Sequence, residues 1–411
     1  MSDNLHLFAG TGVELEYMIV GKETLDVLPV CDKLMEAQAG SPVSEIDIGD
    51  LSWSNELALH VVELKTNGPA ATLDGLGAKF QQDIDKIGAL LAPLGGRLMP
   101  AAMHPWMDPL TQTQIWPHEY SPVYHAYDRI FGCKGHGWSN VQSVHINLPF
   151  SGDEEFGRLH AAIRLVLPLL PALAASSPVL ENKKTGFLDT RLRHYAMNQK
   201  RIPSVTGSVI PEGVFTEADY NERIFKVIDR DIAPHDPDKI LSHFFLNSRG
   251  AIARFDRGAI EIRLLDLQEC PEADLAIVAL VVAVVRALVE ERWSSYADQK
   301  NANTPALIQL LNETVKRGEE AIVPDAHYLK LFGMDLAWDA TAEEVWNHLA
   351  QSVEVADEHQ DALWVMLHEG PLARRILAAL PENPQPKHIR TVYERLCACL
   401  ADGELFVAPS G

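Results

Sequence analysis

Glu14 and Glu16 stand two residues apart in GVELEYMIV, the stretch from Gly12 to Val20. Side chains alternate between faces along a strand, so Val13, Leu15, Tyr17 and Ile19 share one side. Glu14 and Glu16 share the other with Met18 and Val20. Two carboxylates that close repel each other, and burial disfavours their charged form. A surface strand tolerates such a pair, and so does a site built around cations. The same period of two recurs three times. In HVVELKT, Val62 and Leu64 oppose Glu63 and Lys65. In VQSVHINLPF, Val144, Ile146 and Leu148 oppose Ser143, His145 and Asn147. In AIEIRLLD, Ile260, Ile262 and Leu264 oppose Glu261 and Arg263.

Paired into one sheet, these segments put Glu14, Glu16, Glu63, His145, Asn147, Glu261 and Arg263 on one polar face. An oxygen-rich set without thiols suits a hard ion, Mg2+ or Mn2+, rather than structural zinc. Mg2+ held by a few carboxylates completes its shell with water and substrate phosphate, which points to chemistry on a nucleoside triphosphate. Each glutamate alone also reads as a solvated strand residue, and His145 as an ordinary hydrogen-bonded histidine. Alternation is what any half-exposed antiparallel sheet shows, so periodicity leaves both readings open. Glu56 marks its limit. It stands an odd number of positions before Glu63, so it joins this face only if the chain bends between them.

Around these strands the chain reads as helix over 72–93, a long ordered loop with one helix over 104–140, and helix over about 154–175. A loop-rich region spans 176–215. Beyond Pro271 the pattern is helical: 272–292, 304–316, 341–356, 357–380 and 386–402. Pro271 and the acidic residues after it suit a helix N-terminus. The expected fold class is α+β: residues 1–270 form an antiparallel-sheet catalytic core, and 271–411 a helical region packed on it within the same domain.

Bulk composition narrows the partners. The 35 basic and 57 acidic residues leave a formal charge of −22, a field that disfavours nucleic acid or an anionic membrane. A polyanion such as ATP then needs metal ions or local arginines to approach. The five cysteines (Cys31, Cys133, Cys270, Cys397 and Cys399) are odd in number and include no C-x-x-C pair, which suits buried thiols in a reducing cytosol. No secretory signal is visible. The apolar run Leu275–Val285 ends at Arg286 and is too short to cross a bilayer. The expected protein is soluble and cytoplasmic, with homo-oligomerisation left open. The stretch AGTG at Ala9 lacks the Lys-Ser/Thr of a phosphate-binding loop. Ser176 and Ser177 have no nucleophile-elbow setting, His235 and His243 lack metal spacing, and Cys397 and Cys399 read as packing.

The segments GVELEYMIV, NELALHVVELKTNGP, VQSVHINLPF, ALAASSPVLENKKTGFLDTRL and AIEIRLLDLQECPEADLAIVAL, in this order, resemble the glutamate–cysteine ligase family. The likeness is to its bacterial carboxylate–amine ligase branch and runs from about Gly12 to Leu280. It implies a glutamine-synthetase-like catalytic fold, a curved antiparallel sheet whose concave face takes ATP and divalent metals. By resemblance, the metal residues are Glu14, Glu16, Glu56, Glu63, His145 and Glu261. Glu16, Glu56 and Glu63 would surround one ion, and Glu14, His145 and Glu261 another. The implied chemistry is ATP-dependent amide formation through an acyl phosphate, with glutamate as the acid and cysteine or another amine as acceptor. Arg263 is the candidate for stabilising the transferring phosphate, or else an ion pair that balances the glutamates. Arg249 and Arg254, in NSRGAIAR, are further candidates for the ATP phosphates. Arg191 and Asn147 are candidates for binding the acid substrate. The turn at His104, in HPW, reads equally as packing. A non-catalytic nucleotide- or metal-binding relative and a metal-dependent hydrolase are the rival functions, and ATP dependence separates the three.

Overall fold

The computed structural model describes residues 5–335 and 339–408. Its centre is an eight-stranded antiparallel sheet. The strands are β1 (Gly12–Gly21), β2 (Glu45–Ile48), β3 (Leu51–Asn55), β4 (Val61–Thr66), β5 (Gly96–Met99), β6 (Ser143–Pro149), β7 (Ala251–Arg254) and β8 (Ala259–Asp266). Across the sheet the order is β2-β3-β4-β1-β6-β8-β7, with β5 also paired to β1. The central strand is therefore the one that carries Glu14 and Glu16. Its register sets Glu16 opposite Glu63 on β4, and Glu14 opposite His145 on β6. On the next strand, Glu261 stands opposite Asn147.

The two faces divide as the alternation predicts. Val13, Leu15, Tyr17 and Ile19 join the main hydrophobic cluster, which also takes Phe80 from helix Leu76–Leu91, Phe156 from helix Gly152–Val166 and Leu275 from helix Pro271–Val289. Met18 and Val20 point the other way, into a second cluster with Ile389, Val392, Tyr393 and Leu396 of helix Pro386–Asp402. The face that carries the carboxylates is thus sealed at one end by the last helix. The C-terminal segments also enter the main cluster through Val345, Leu349 and Leu363.

Several elements depart from the sequence reading. Strands β2, β3 and β5 are not anticipated, because they are four or five residues long and rich in polar or glycine positions. The 104–140 loop holds three short helices, Pro109–Gln112, Ser121–Phe131 and His136–Ser139, instead of one. The helix expected over 357–380 is broken at Gly370, which has φ +82°, and Pro371. A positive φ suits glycine, and proline offers no N–H to continue the ladder. Similarly, Pro168 and Pro171 divide the stretch from Gly152 to Ala174 into two helices and a single 3-10 turn. That stretch is the one helical segment among the described residues apolar and long enough to cross a membrane, yet 94% of its most apolar window is buried inside the fold.

Candidate active site

Strand pairing alone assembles the polar face. Gly12 lies opposite Asn147, and a Cβ on Gly12 would sit 2.9 Å from the Asn147 Cβ. The absence of a side chain there lets Asn147 stand against β1, where its Nδ2 donates to Glu14 Oε1 at 2.8 Å. His145 Nδ1 contacts Glu14 Oε2 at 2.8 Å, and its Nε2 contacts Ser143 Oγ at 3.0 Å. Ser143 in turn donates to Glu16 Oε2 from its backbone N–H at 2.8 Å and from its hydroxyl at 2.9 Å. On the other flank, Ser54 Oγ donates to Glu63 Oε2 at 2.5 Å, and Lys65 Nζ lies 3.4 Å from the same oxygen.

Glu56 lies just beyond β3, where the chain turns before β4 begins at Val61. That turn is the bend parity demanded. One donor atom each from Glu16, Glu56 and Glu63 lie within 4.8 Å of one another, as do donors from Glu14, Glu63 and His145. The first triad has the membership read from sequence. The second differs: Glu63 takes the place expected for Glu261, and so belongs to both. Glu261 stands one step out, with Oε1 3.7 Å from His145 Nδ1 and 2.9 Å from Arg263 Nε. At Glu261 the pairing of β8 with β6 is still regular, and its register shifts by one residue only further on, between Ile262 and Leu265. Such a bulge re-aims the side chains around it. It also turns both Leu264 and Leu265 into the core, where strict alternation allows only one.

The electrostatics are those of a site short of positive charge. Burial and the charges of Glu14 and Glu56 push the Glu63 carboxyl well above the usual carboxylate range. Burial and the charge of Glu16 push Glu56 up to about 7. Burial alone would raise Glu14 too, but the hydrogen bond and charge of His145, with the bond from Asn147, hold it down at about 2. Burial works against protonated His145, yet Glu14 and Glu16 raise it to about 9. The folded cluster thus favours bound protons at Glu63, Glu56 and His145. Two overlapping sets of oxygen donors with one imidazole suit Mg2+ or Mn2+, whose binding would release those protons.

The arginines divide. Arg263, about a quarter exposed, stays at the cluster. Arg191 is anchored beneath it: its Nε donates to Asp266 Oδ1 at 2.5 Å, while Nη1 and Nη2 reach only the Arg263 carbonyl, at 3.5 Å. The negative field of Glu16 reaches this guanidinium. Arg249 and Arg254, expected to meet phosphate, are engaged elsewhere. Glu212 holds Arg249 through Nε at 2.6 Å and Nη2 at 2.7 Å, and Nη1 is bonded to Asn247. Arg254 is clamped by Asp256 at 3.0 and 2.8 Å. Both guanidinium forks therefore face carboxylates of the chain itself.

Sequence reasoning passed over Ser54, Ser143, Tyr124 and Tyr195. Ser143 was legible by alternation, and Ser54 would have been had LSWSN been read as a strand. The Tyr124 hydroxyl accepts from Asn55 Nδ2 at 3.1 Å, and burial and the charge of Glu56 push its phenol up. Tyr195 lies within reach of the charges of Arg263 and Glu261. His104 belongs to packing: Nε2 donates to the Leu25 carbonyl, Nδ1 accepts from the Trp106 and Met107 N–H groups, and burial lowers its pKa to about 4. Ser176 and Ser177 bond Asp266, and Cys397 is buried on the inner face of the last helix.

The fold is shared with the glutamate–cysteine ligase of Francisella tularensis solved with AMP (TM-score 0.55, 11% identity, 95% of this chain and 88% of that one). It is shared too with a bifunctional glutathione synthetase of Pasteurella multocida (TM-score 0.62, 12% identity, 95% of this chain and 53% of that one). An "Uncharacterized protein" of Archaeoglobus fulgidus is 32% identical over 403 residues, which span 96% of this chain and all of that one. The model of glutamate-cysteine ligase family 2 matches residues 11–394. The chain belongs to this family, and carboxylate–amine ligation is the class of reaction its membership supports.

Proposed function

We propose that this protein forms an amide between glutamate and cysteine, or another small amine, at the expense of ATP. The observation that carries the reading is the pair of donor triads sharing Glu63, with Arg263 beside them. In this reading Glu14, Glu16, Glu56, Glu63 and His145 hold divalent cations, and Glu261 bridges His145 and Arg263. Bound Mg2+ or Mn2+ would supply charge neutralisation for the phosphate oxygens. The acid's carboxylate oxygen attacks the γ-phosphorus and ADP leaves. The amine nitrogen then attacks the acyl carbon, phosphate leaves, and the nitrogen gives up a proton. Arg263 supplies a fixed planar donor set to the transferring phosphoryl group. Arg191, buried and held by Asp266, supports the Arg263 backbone from beneath and adds positive field to the site, and Asn147 fixes Glu14 and the substrate side of β6. Asn147 and Ser143 keep Glu14 and Glu16 oriented, so little reorganisation is needed as charge develops.

The test is ADP release with ATP, Mg2+ and glutamate across a panel of amines that includes cysteine. Release that requires both glutamate and one amine is expected. ATP hydrolysis indifferent to acid and amine, or no release with any acid tried, would overturn the reading.

A further inference from the structure

Fifteen of the nineteen residues of helix Pro271–Val289 are buried. The four that are not, Glu272, Ala279, Ala283 and Arg286, fall seven, four and three residues apart and share one helical stripe. A cavity of about 690 Å3 opens over the part of this stripe from Ala279 to Arg286. That size falls within the usual range for small-molecule sites. Ala279, Val282 and Ala283 make a slim apolar floor, about 10 Å long at the helical rise from Ala279 to Arg286.

Charged side chains also line the cavity. Arg286 lies over the Phe8 ring at 4.7 Å and, among the described residues, makes no salt bridge. Arg292 also lines it, with one guanidinium nitrogen bonded to the Ser352 carbonyl at 2.9 Å and another 4.0 Å from Glu290 Oε2. Asp74 and Glu354, both exposed, line the same cavity. Deeper in the wall is His359, only 1% exposed. Its Nδ1 contacts Glu272 Oε1 at 3.0 Å, while its Nε2, 3.8 Å from Glu358 Oε1, is buried without a hydrogen-bond partner. A buried polar atom left unpaired is costly, and a ligand atom would satisfy it.

We propose that this cavity is a second small-molecule site, for a zwitterion of amino-acid to dipeptide size with an aliphatic side chain. The two arginines suit its carboxylate, Asp74 or Glu354 its ammonium group, and the alanine floor its side chain. A polyanion fits poorly, since those same carboxylates and the net charge of −22 oppose it. None of the lining residues is among the six metal-type residues, so the site is separate from the carboxylate cluster.

The test is calorimetric titration with leucine and with alanyl-leucine, in EDTA and without nucleotide. Saturable binding of at least one is expected, weakened at least tenfold by Arg286→Glu and by Ala283→Phe. Glu63→Gln should leave it unchanged. Arg286 is exposed, so its replacement leaves the fold intact, and circular dichroism checks this. No saturable binding of either probe at up to about 10 mM would overturn the proposal. Binding lost in Glu63→Gln but indifferent to Arg286→Glu would do the same. Because no ATP is present, failure here is distinct from failure of the ligase reading.

Discussion

Glu63 is the residue on which both donor triads depend. Glu63→Gln should reduce ATP turnover below detection while the fold persists, measured by ADP release and circular dichroism. Retained wild-type turnover would remove the metal site from this account. Arg263→Lys should lower kcat by roughly 100-fold, because an ammonium cannot reproduce a planar donor pair aimed at developing charge. Glu56 adds a pH dependence. Its pKa is raised to about 7 in the folded protein, so the neutral carboxyl is favoured there relative to the unfolded chain. Its contribution to stability is therefore full below about pH 4.5 and is lost as pH rises towards 7. Glu56→Gln should then flatten this fall in the metal-free protein, by on the order of 1–3 kcal/mol between pH 5 and 8 in urea unfolding.

At the scale of elements, β1 and β6 are held together by a glycine as much as by hydrogen bonds. Gly12→Ala would force a Cβ to within 2.9 Å of Asn147 and push that strand pair apart. Overpacking of this kind costs about 1–3 kcal/mol, and here it also displaces the Asn147 bond to Glu14. The expected outcome is a lower Tm together with a raised Mg2+ requirement. An unchanged Mg2+ requirement would show that Asn147 does not position Glu14. By contrast, Cys397→Ser lies in the second hydrophobic cluster and should leave turnover unchanged.

Across the whole molecule, a chain of charge −22 concentrates five carboxylates on one patch of its central sheet. Without cations that patch is a source of self-repulsion, so Mg2+ should raise Tm and EDTA should reverse the rise. Ligand binding to the folded state alone stabilises by about 2.7 kcal/mol at a concentration 100 times Kd. A scan of Tm against Mg2+ measures this, and Glu63→Gln should abolish it.

Alternation by itself was enough to divide β1, β4 and β6 into a core face and a polar face, because a strand's period of two allows nothing else once one side is buried. Composition and motif strings likewise carried the family and the residues that face one another. Three matters were decided only in three dimensions. That Glu63 rather than Glu261 lies with Glu14 and His145 depends on how far each side chain reaches across the folded sheet, which no periodic reading contains. The pairing of Arg249 with Glu212 joins segments 37 residues apart, a matter of how the chain folds back, whereas Arg254 meets Asp256 two residues on, in the turn after β7. The proton balance of the cluster was settled last, because a carboxylate's pKa depends on which charges stand within a few ångströms of it in the folded chain.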